Sequence, residues 1–150
     1  MQLREYEWHD FNAIYKLDQS CFPPGIAYSK TTLRYFLSLA TGQSLLAVEN
    51  NEIAGFILSE VNGSLAHIIT LDVGKAYRRC GVGSKLLSAM EDAAAAQGVR
   101  TVLLETAVNN EAAVAFWQRH GYSVEGVLKR YYLSHIDAYE MRKLLAVKEK

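Results

Sequence analysis

A ten-residue segment with the sequence YRRCGVGSKL, at positions 77–86, constrains the fold of this chain more than any other part. It joins an apolar, strand-like run at 66–73 to an amphipathic pattern of helical period, and it holds two arginines and two glycines. Glycine lets a backbone approach a ligand closely, and the first N–H groups of a helix have no partner inside the helix. Because a helix N-terminus attracts negative charge, the segment predicts an anion-binding loop between a strand and a helix.

The spacing Arg78-x-x-Gly81-x-Gly83 separates this loop from the common nucleotide-binding loops. A Walker loop needs Gly-x-x-x-x-Gly-Lys-Ser/Thr, and dinucleotide folds use Gly-x-Gly-x-x-Gly. A nucleotide-binding regulatory domain is therefore a weak interpretation. A plain turn between strand and helix is the simpler alternative, but such a turn requires neither paired arginines nor two glycines at this spacing.

The size and charge of the chain exclude several classes of protein. Its 150 residues amount to about one domain, and we predict a single domain over 1–150. The 16 Lys and Arg balance the 16 Asp and Glu, so neither nucleic acid nor a membrane is an expected partner. No run reaches the roughly 18 apolar residues that span a bilayer, and the N-terminus does not resemble a signal peptide, so we expect a cytoplasmic protein.

Cysteine and histidine spacing gives no sign of a metal site. Cys21 and Cys80 lie far apart and have no partner at ligand spacing, so we expect two free thiols rather than a disulfide or a zinc site. The histidines fall on different predicted elements, where roles in the core or at the surface are expected: His9, His67, His120 and His135.

Hydrophobic periodicity predicts an α/β (α+β) fold with a mixed sheet of seven strands and about four helices. The predicted strands are 2–6, 44–49, 53–61, 65–73, 101–106, 122–128 and 138–145. The predicted helices begin at Asp10, span 29–40 with Gly42 as the stop, run from the glycine loop to Gly98, and span 110–120. The charged tail at 148–150 is expected to be a frayed end.

The connections between the strands predict their pairing. Asn50-Asn51 and Asn62-Gly63 are turn sequences, so the three strands between 44 and 73 are expected to form antiparallel hairpins. One helix separates the strand that ends at Val73 from the strand that begins at Thr101. Such a helix is typical of a crossover, so these two strands are predicted to be the central parallel pair, with the glycine loop at the carboxyl end of the first.

Several short motifs, at these separations, carry a resemblance to a known family. With this order of elements the chain resembles the GNAT acetyltransferases over about residues 2–145, and most closely their ribosomal-protein-alanine N-acetyltransferase branch, which acetylates protein N-termini. Besides the glycine loop, the supporting residues are Leu71-Asp72-Val73, Leu104-Glu105, Asn110-Glu111-Ala112-Ala113, His120-Gly121-Tyr122 and Lys129-Arg130-Tyr131-Tyr132.

The resemblance implies acetyl-coenzyme A as the donor. In this family the loop amides hold the pyrophosphate, arginine adds charge, and the preceding strand pairs with the pantetheine arm and offers an amide to the thioester oxygen. The position of Cys80 inside the loop suggests a thiol that faces the cofactor rather than a nucleophile. The implied cofactor-binding residues are Leu71, Asp72, Val73, Arg78, Arg79, Cys80, Gly81, Val82, Gly83, Ser84, Asn110 and Trp117.

Glu105 is a single charge in an otherwise apolar predicted strand. An unpaired buried carboxylate is costly, so this residue needs either solvent or a partner. The family has a general base at this position, and an amine must lose a proton before or during its attack on a thioester. The alternative is a glutamate on a solvated face or in an ion pair, and strand alternation leaves open which face of the sheet is wet.

Trp117 departs from the family pattern. N-terminal acetyltransferases resembling this chain would have a tyrosine twelve residues after Glu105, as the acid for the departing thiolate. An indole N–H donates a hydrogen bond but has no accessible proton, so Trp117 is predicted either to stabilise the sulfur or to pack in an apolar stripe. Tyr132 is the alternative acid in the predicted catalytic set, and Tyr122 and Tyr131 remain open.

The acceptor is predicted to be a primary amine that attacks directly, since no serine or cysteine lies in a convincing nucleophile arrangement. The resemblance favours the α-amine of a protein N-terminus, of the alanine type, and it places substrate-binding residues at Phe22, Pro23, Tyr28, Tyr131 and Tyr132. The alternatives are a small amine, such as a polyamine, an amino acid or an aminoglycoside, and an acyl-coenzyme A-binding module without turnover. A monomer or a homodimer is expected.

Overall fold

The computed structural model describes residues 1–146, in which seven strands form one mixed sheet with the order β1-β2-β3-β4-β5-β7-β6. The strands are β1 (Gln2–Glu5), β2 (Gly42–Glu49), β3 (Glu52–Asn62), β4 (Leu65–Val73), β5 (Thr101–Ala107), β6 (Ser123–Tyr132) and β7 (Ile136–Leu144). The helices are α1 (Phe11–Cys21), α2 (Lys30–Ser38), α3 (Val82–Ala96) and α4 (Glu111–Arg119). The predicted sheet, with about four helices, is confirmed, and the tail at 148–150 lies outside the described residues.

The strand connections follow the predicted turns. Asn50 and Asn51 both have positive φ, at 51° and 63°, and form a two-residue loop between the paired residues Glu49 and Glu52. Residues 63 and 64 make the next two-residue loop. Beyond the α3 crossover, β4 and β5 pair in parallel, as predicted.

Several predicted boundaries differ from the structure by one to four residues, and two of these differences change where a predicted residue lies. The helix expected over 29–40 ends at Ser38, because Leu39 adopts extended backbone and Gly42, expected to stop the helix, already begins β2. The sixth strand, expected to stop at residue 128, continues to Tyr132 after an irregularity that includes Arg130 at φ 56°. Tyr131 and Tyr132 are therefore the last two residues of β6, where Tyr132 pairs with Ile136 of β7, and they do not lie in the loop between the last strands.

The sheet is covered on both faces by apolar clusters. Helix α3 packs on one face and α1 and α2 pack on the other, as their amphipathic patterns require. Buried residues of the α3 cluster include Ala47, Ile57, Ala66, Ile68, Val82, Leu86, Leu87, Met90, Val102 and Leu104. Those of the α1–α2 cluster are Phe11, Ile14, Leu33, Leu46, Phe56 and Leu58.

A β-bulge in β4 opens the sheet beside β5. Leu58 of β3 pairs with Thr70 and Ser59 pairs with Ile68, so Ile69 has no partner in the β3–β4 ladder. A bulge bends its strand and shifts the alternation of side chains by one residue. On β4, pairing with β5 covers only Leu65 to His67, and the strands then separate. A cavity lies in the gap between them.

The same bulge changes which residues face each helix layer. Before the bulge, Ala66 and Ile68 pack in the α3 cluster, whereas after it Leu71 and Val73 pack against that cluster. The side chain of Asp72 consequently points to the opposite layer, towards α1. On an uninterrupted strand Asp72 would share a face with Ala66 and Ile68. The bulge places its side chain on the opposite face of the sheet.

Candidate active site

A cavity of about 920 Å³ lies where β4 and β5 separate. Its walls come from the carboxyl halves of these two strands, the loop between α1 and α2, the glycine loop and α4. Most of the residues predicted for the site line this one space. They are Phe22, Pro23, Tyr28, Leu71, Val73, Arg78, Arg79, Gly81, Val82, Gly83, Ser84, Glu105, Asn110, Trp117 and Tyr132.

The glycine loop presents backbone N–H groups to this cavity. Arg79 and Gly81 both adopt left-handed backbone, at φ 63° and 80°, and turn the chain into α3. The Lys85 amide donates to the Gly81 carbonyl oxygen at 3.0 Å, which is the first hydrogen bond of the helix. The amides at 82–84 precede that bond and therefore have no partner within the helix, which favours an anion at this point.

Arginine side chains add positive charge at the same end. The Arg78 guanidinium folds back along β4, where its Nε donates to the Val73 carbonyl oxygen at 3.2 Å. Arg79 and Arg119 also line the cavity. Ser84 is fixed by His120 of α4, since its Oγ lies 3.0 Å from the His120 Nε2. This end of the cavity can accept a charged phosphate group.

Two residues of the predicted cofactor set are placed away from the cavity. The Cys80 side chain is exposed, and its thiol donates to the Arg78 carbonyl oxygen at 3.6 Å. The Asp72 side chain is buried on the α1 side of the sheet, so only the backbone of this residue can contact the expected acetyl donor. Cys21, which sequence reasoning did not select, lines the cavity instead, and burial raises the pKa of its thiol.

Glu105 faces the cavity, which answers the question that strand alternation left open. It is the one acidic side chain among the described residues that line this space. His67 Nε2 lies 2.9 and 3.0 Å from its two carboxylate oxygens, and the Tyr131 hydroxyl donates to Oε1 at 3.1 Å. With 14% of its side chain exposed, the carboxylate is held by partners rather than by bulk water.

His67 is the functional candidate that sequence reasoning missed. In the parallel register it lies opposite Leu103, and Glu105 is two residues further along β5 on the same face. The predicted parallel pair makes the two strands neighbours, and residues two apart on a strand share a face, but the contact also needs the register, which the sequence does not give. An imidazole bonded to a carboxylate can orient it and exchange a proton with it.

Tyr28 and Tyr132 line the cavity, whereas Tyr131, also predicted to bind substrate, lies outside the described lining and bonds to Glu105. The Tyr132 hydroxyl lies 3.5 Å from the Glu105 carbonyl oxygen, and the Tyr28 hydroxyl donates to the Ile69 carbonyl oxygen of the bulge at 3.2 Å. Burial, followed by the charge and hydrogen bond of Glu105, raises the pKa of Tyr131 to about 12. Burial is also the main cause of raised pKa values at Tyr28 and Tyr132. All three therefore keep their protons at neutral pH and act as hydrogen-bond donors.

Tyr122, the other tyrosine left open as an acid, belongs to the interior. Its hydroxyl donates to Glu91 Oε2 at 2.7 Å, and Lys143 Nζ lies 3.0 Å from the other oxygen of that carboxylate. Burial and this carboxylate raise the pKa of Tyr122. It is absent from the described cavity wall, so its role is to join α3 to the last strands.

Helix α4 supplies the wall opposite β4. Asn110 caps the helix, since its Oδ1 accepts from the Ala113 amide at 3.2 Å. Trp117 is buried, and its ring makes edge contacts with Phe116 and Tyr122 at 5.1 and 5.3 Å between centroids. Trp117 thus lines the cavity and also packs in the core, so both roles considered for it are compatible with its position.

Two loops that border the cavity touch each other, and the resemblance places the acceptor entrance, or mouth, between them. Gly25, in the loop between α1 and α2, has φ 88°, and a methyl group built there would overlap the Leu133 Cδ2 atom. Leu133 follows β6 in the turn to β7. The loop that holds Phe22 and Pro23 is therefore in direct contact with the turn that follows Tyr132.

Within residues 1–146, no cluster of three or more His, Cys, Asp or Glu side chains is arranged to hold a metal ion. Over the same residues, no helix combines the length and the apolar character needed to cross a membrane.

The opened edge of β4 leads from the glycine loop to Glu105, so an extended donor that carries an anionic group can lie along it. A cavity that can hold such a donor beside a carboxylate is typical of enzymes that transfer a chemical group. A family model described as the acetyltransferase (GNAT) family matches residues 11–122. The chain belongs to the GNAT acetyltransferase family and is an acetyl-coenzyme A-dependent acetyltransferase.

Individual relatives agree with this family. The chain is 34% identical over 117 residues to N-alpha-acetyltransferase 30 of Schizosaccharomyces pombe, covering 75% of this chain and 78% of that protein. The ribosomal-protein-S18-alanine N-acetyltransferase of Escherichia coli has the same fold, with a TM-score of 0.89, 23% identity and coverage of 99% and 96%. Naa20 of Chaetomium thermophilum, solved with a bisubstrate analogue, gives a TM-score of 0.82, 28% identity and coverage of 97% and 87%.

Proposed function

We propose that this enzyme transfers the acetyl group of acetyl-coenzyme A to the α-amine of a protein N-terminus, of the alanine type, by direct attack. The observation that carries the proposal is Glu105, one carboxylate at the wall of the cavity with His67 and Tyr131 as partners. One matching relative, 34% identical over 117 residues, is an N-alpha-acetyltransferase. We further propose that residues 1–150 act as one acetyltransferase domain and that the protein is cytoplasmic.

Each step has a residue suited to it. Glu105 takes a proton from the attacking amine, directly or through water, and His67 keeps the carboxylate in place. A backbone amide at 71–73 donates to the oxyanion that forms on the thioester carbonyl. The tetrahedral intermediate then collapses, an amide bond remains on the acceptor, and coenzyme A leaves as a thiolate. Trp117 or Tyr132 donates a hydrogen bond to that sulfur, which takes its proton from solvent.

The charge of the cavity favours a peptide over a polyamine. A polyamine carries several positive charges and calls for several carboxylates, yet Glu105 is the one acidic group among the described lining residues. The walls that we assign to the acceptor are instead Phe22, Pro23, Tyr28 and Tyr132, all of which line the cavity. Aromatic and tyrosine-lined walls suit the backbone and first side chain of a peptide.

Thiol release with a panel of acceptors tests the proposal. The panel contains short peptides with free N-termini, spermidine, single amino acids and an aminoglycoside, each with acetyl-coenzyme A. We expect peptide-dependent thiol release above all other acceptors. Release only with a small amine would overturn the peptide assignment.

Glu105→Gln tests the base. General-base catalysis contributes about 10²–10⁴-fold, so kcat should fall by that factor and its dependence on deprotonation of a carboxyl should disappear, with little change in the KM for acetyl-coenzyme A. Glu125→Gln is the matched control, because Glu125 is exposed on β6 and bonds to Ser123. An unchanged pH–rate profile in Glu105→Gln would remove its role as base.

A further inference from the structure

Two buried carboxyl groups lie beneath the acceptor wall of the cavity. Asp18 is on α1 and Asp72 is on β4, and both are 0% exposed. Neither carboxyl has a role in the proposed transfer. Buried acidic side chains are rare unless they are paired or hydrogen-bonded, so this pair calls for a physical explanation.

The two carboxyl groups are neighbours in the interior, and each has one oxygen without a donor. The Thr70 hydroxyl donates to Asp72 Oδ1 at 2.5 Å, and the Asp18 carboxyl acts on Asp72 as its acidic neighbour. The other oxygens, Asp18 Oδ1 and Asp72 Oδ2, are buried and have no hydrogen-bond partner within residues 1–146. An ionised carboxylate only accepts hydrogen bonds, so two neighbouring carboxyls without other donors are satisfied when they share one proton.

The location of that proton follows from burial. Burial first, and then the hydrogen bond and charge of Asp18, raise the pKa of Asp72. Asp72 therefore carries the proton and donates it to Asp18. The bulge at Ile69 makes the contact available, because it turns the side chain of Asp72 towards α1.

Asp18 connects this pair to Tyr28 of the acceptor wall. Its Oδ2 accepts from the Tyr28 amide at 2.7 Å. The Tyr28 carbonyl oxygen accepts from Gln19 Nε2 at 2.8 Å, and its hydroxyl donates to the Ile69 carbonyl oxygen at 3.2 Å. Three hydrogen bonds thus hold Tyr28 between α1 and the bulged part of β4.

We propose that the Asp18–Asp72 carboxyl pair positions the acceptor. It joins α1 to β4 and fixes the segment that ends at Tyr28, so that the wall facing the incoming amine keeps its place relative to the reacting strand. The inference rests on the proposed function, since the acceptor is what this wall contacts. Asp18 and Asp72 are positioning residues, because they act through Tyr28.

Loss of the shared proton would place two negative charges in the interior. The groups that face the pair are the Cys21 thiol on α1, the Tyr28 hydroxyl and the Arg78 guanidinium, whose Nη2 lies 3.9 Å from Cys21 Sγ. Arg78 already bonds to the Val73 carbonyl oxygen and does not reach the pair as a hydrogen-bond donor in the described contacts. Rising pH should therefore loosen Tyr28 and raise the KM for the acceptor.

Variants of Asp18 separate the positioning role from general stability. Asp18→Ala removes the acceptor of the Tyr28 amide, so we expect the KM for the acceptor peptide to rise about tenfold with little change in the KM for acetyl-coenzyme A. Asp18→Asn can still accept from Tyr28 and donate to Asp72, so its acceptor KM should stay near that of the wild type and lose its rise at alkaline pH. Asp10→Ala is the control, because Asp10 is also a buried aspartate but bonds to Arg4 rather than to Tyr28.

Two readouts do not depend on turnover. By NMR, exchange of the Tyr28 amide with solvent should be slow in the wild type and in Asp18→Asn, and at least about tenfold faster in Asp18→Ala. In the wild type, folded Asp72 keeps a proton that the unfolded chain releases above its ordinary pKa. The free energy of unfolding should therefore fall as pH rises from about 4 through the folded pKa, and Asp18→Asn should flatten that slope.

Unchanged Tyr28 exchange and acceptor KM in Asp18→Ala would overturn the proposal, as would an unaltered pH slope in Asp18→Asn. If Asp18→Ala does not fold, the pH slope and alkaline acceptor KM of Asp18→Asn decide the outcome. If no acceptor is acetylated by the wild type, the proposed function fails, while amide exchange and the pH slope still test the carboxyl pair.

Discussion

Glu105 is a charged residue on an apolar strand, and its partners explain how the fold tolerates it. His67 approaches both carboxylate oxygens, and the Tyr131 hydroxyl binds one of them. Hydrogen bonds to an ionised group are among the stronger ones in proteins. The carboxylate is therefore fixed at the cavity wall before any substrate arrives, which limits the reorganisation that proton transfer requires.

Replacing His67 should lower the rate more than it lowers donor binding. Loss of a hydrogen bond to a charged group costs about 1.5–3 kcal/mol, so kcat for His67→Leu should fall between about tenfold and about a hundredfold. His67→Gln keeps a donor and should retain more activity. Steady-state kinetics with both substrates checks this expectation, and equal activity of the Leu and wild-type enzymes would contradict it.

At the residue scale, the sequence identified Glu105 but not its neighbours. Period-2 alternation places Leu104 and Glu105 on opposite faces without saying which face is open to solvent. His67 is 38 positions away, and its contact with Glu105 depends on the register of two parallel strands. Turn and helix signals predict that two strands are neighbours, but they do not predict register.

At the scale of an element, the sequence predicts where the glycine loop lies, and the structure explains why a glycine is needed in it. Its place between β4 and α3 follows from sequence, because paired glycines and arginines at a strand-to-helix junction have few other uses. Its backbone then explains Gly81, which adopts φ 80° at the N-terminus of α3. A side chain in this left-handed region costs about 1–2 kcal/mol.

Gly81→Ala should therefore destabilise the fold by about 1–2 kcal/mol and raise the KM for acetyl-coenzyme A, since it disturbs the amides at 82–84. Gly98→Ala is a matched control at the other end of α3. Both glycines have positive φ, and a methyl group at either would meet no atom within 4 Å. Denaturant unfolding should show similar losses, and an equal rise in KM for both variants would argue against the loop as the donor site.

The bulge in β4 could not be predicted from its sequence. The run at 65–73 is apolar enough to fit either face, so its pattern does not reveal that Ile69 leaves the ladder. The resemblance predicts a donor-binding role for residues 71–73, which the backbone of Asp72 can still fill, while the bulge turns its side chain towards Asp18 of α1. Bulges depend on what the strand must pack against, which is information held by the whole sheet.

Contact between the two loops at the mouth yields another prediction. Gly25→Ala places a methyl group against Leu133 and also strains φ 88°, so the loop must move away from the turn after β6. We expect a higher KM for the acceptor with little change for acetyl-coenzyme A, and partial recovery in Gly25→Ala with Leu133→Ala. Gly63→Ala is the control in steady-state kinetics, since Gly63 also has positive φ but lies in open space. A rise in donor KM alone would contradict this assignment of the mouth.

For the molecule as a whole, the sequence predicted the order and pairing of the elements because local signals agreed with each other. Turn residues separated the first hairpins, and the crossover helix fixed the parallel pair. The sequence did not predict the contacts between loops that are far apart in the chain. Leu133 meets Gly25 across more than a hundred residues, and no local pattern marks either as a partner.

Stability of the whole fold should depend on pH in opposite directions at two buried aspartates. The hydrogen bonds from Arg4, at 2.8 and 2.9 Å, are the main cause of the lowered pKa of Asp10. Its contribution is present above the ordinary carboxyl pKa of about 4 and is lost as pH falls through the folded value. The deficit of Asp10→Asn in denaturant unfolding should thus be largest near pH 7 and shrink on acidification. A deficit independent of pH would show that the Arg4 pair does not stabilise the charged form.

The most direct test of acetyl transfer to an N-terminal α-amine uses a peptide that offers two amines. The peptide begins with alanine, carries one internal lysine and is incubated with acetyl-coenzyme A and the wild-type enzyme, after which fragment mass spectrometry locates the acetyl group. We predict acetylation of the α-amine, strongly reduced in Glu105→Gln and absent from the same peptide with a blocked N-terminus. Acetyl found only on the lysine, or an equal yield from the blocked peptide, would contradict this account.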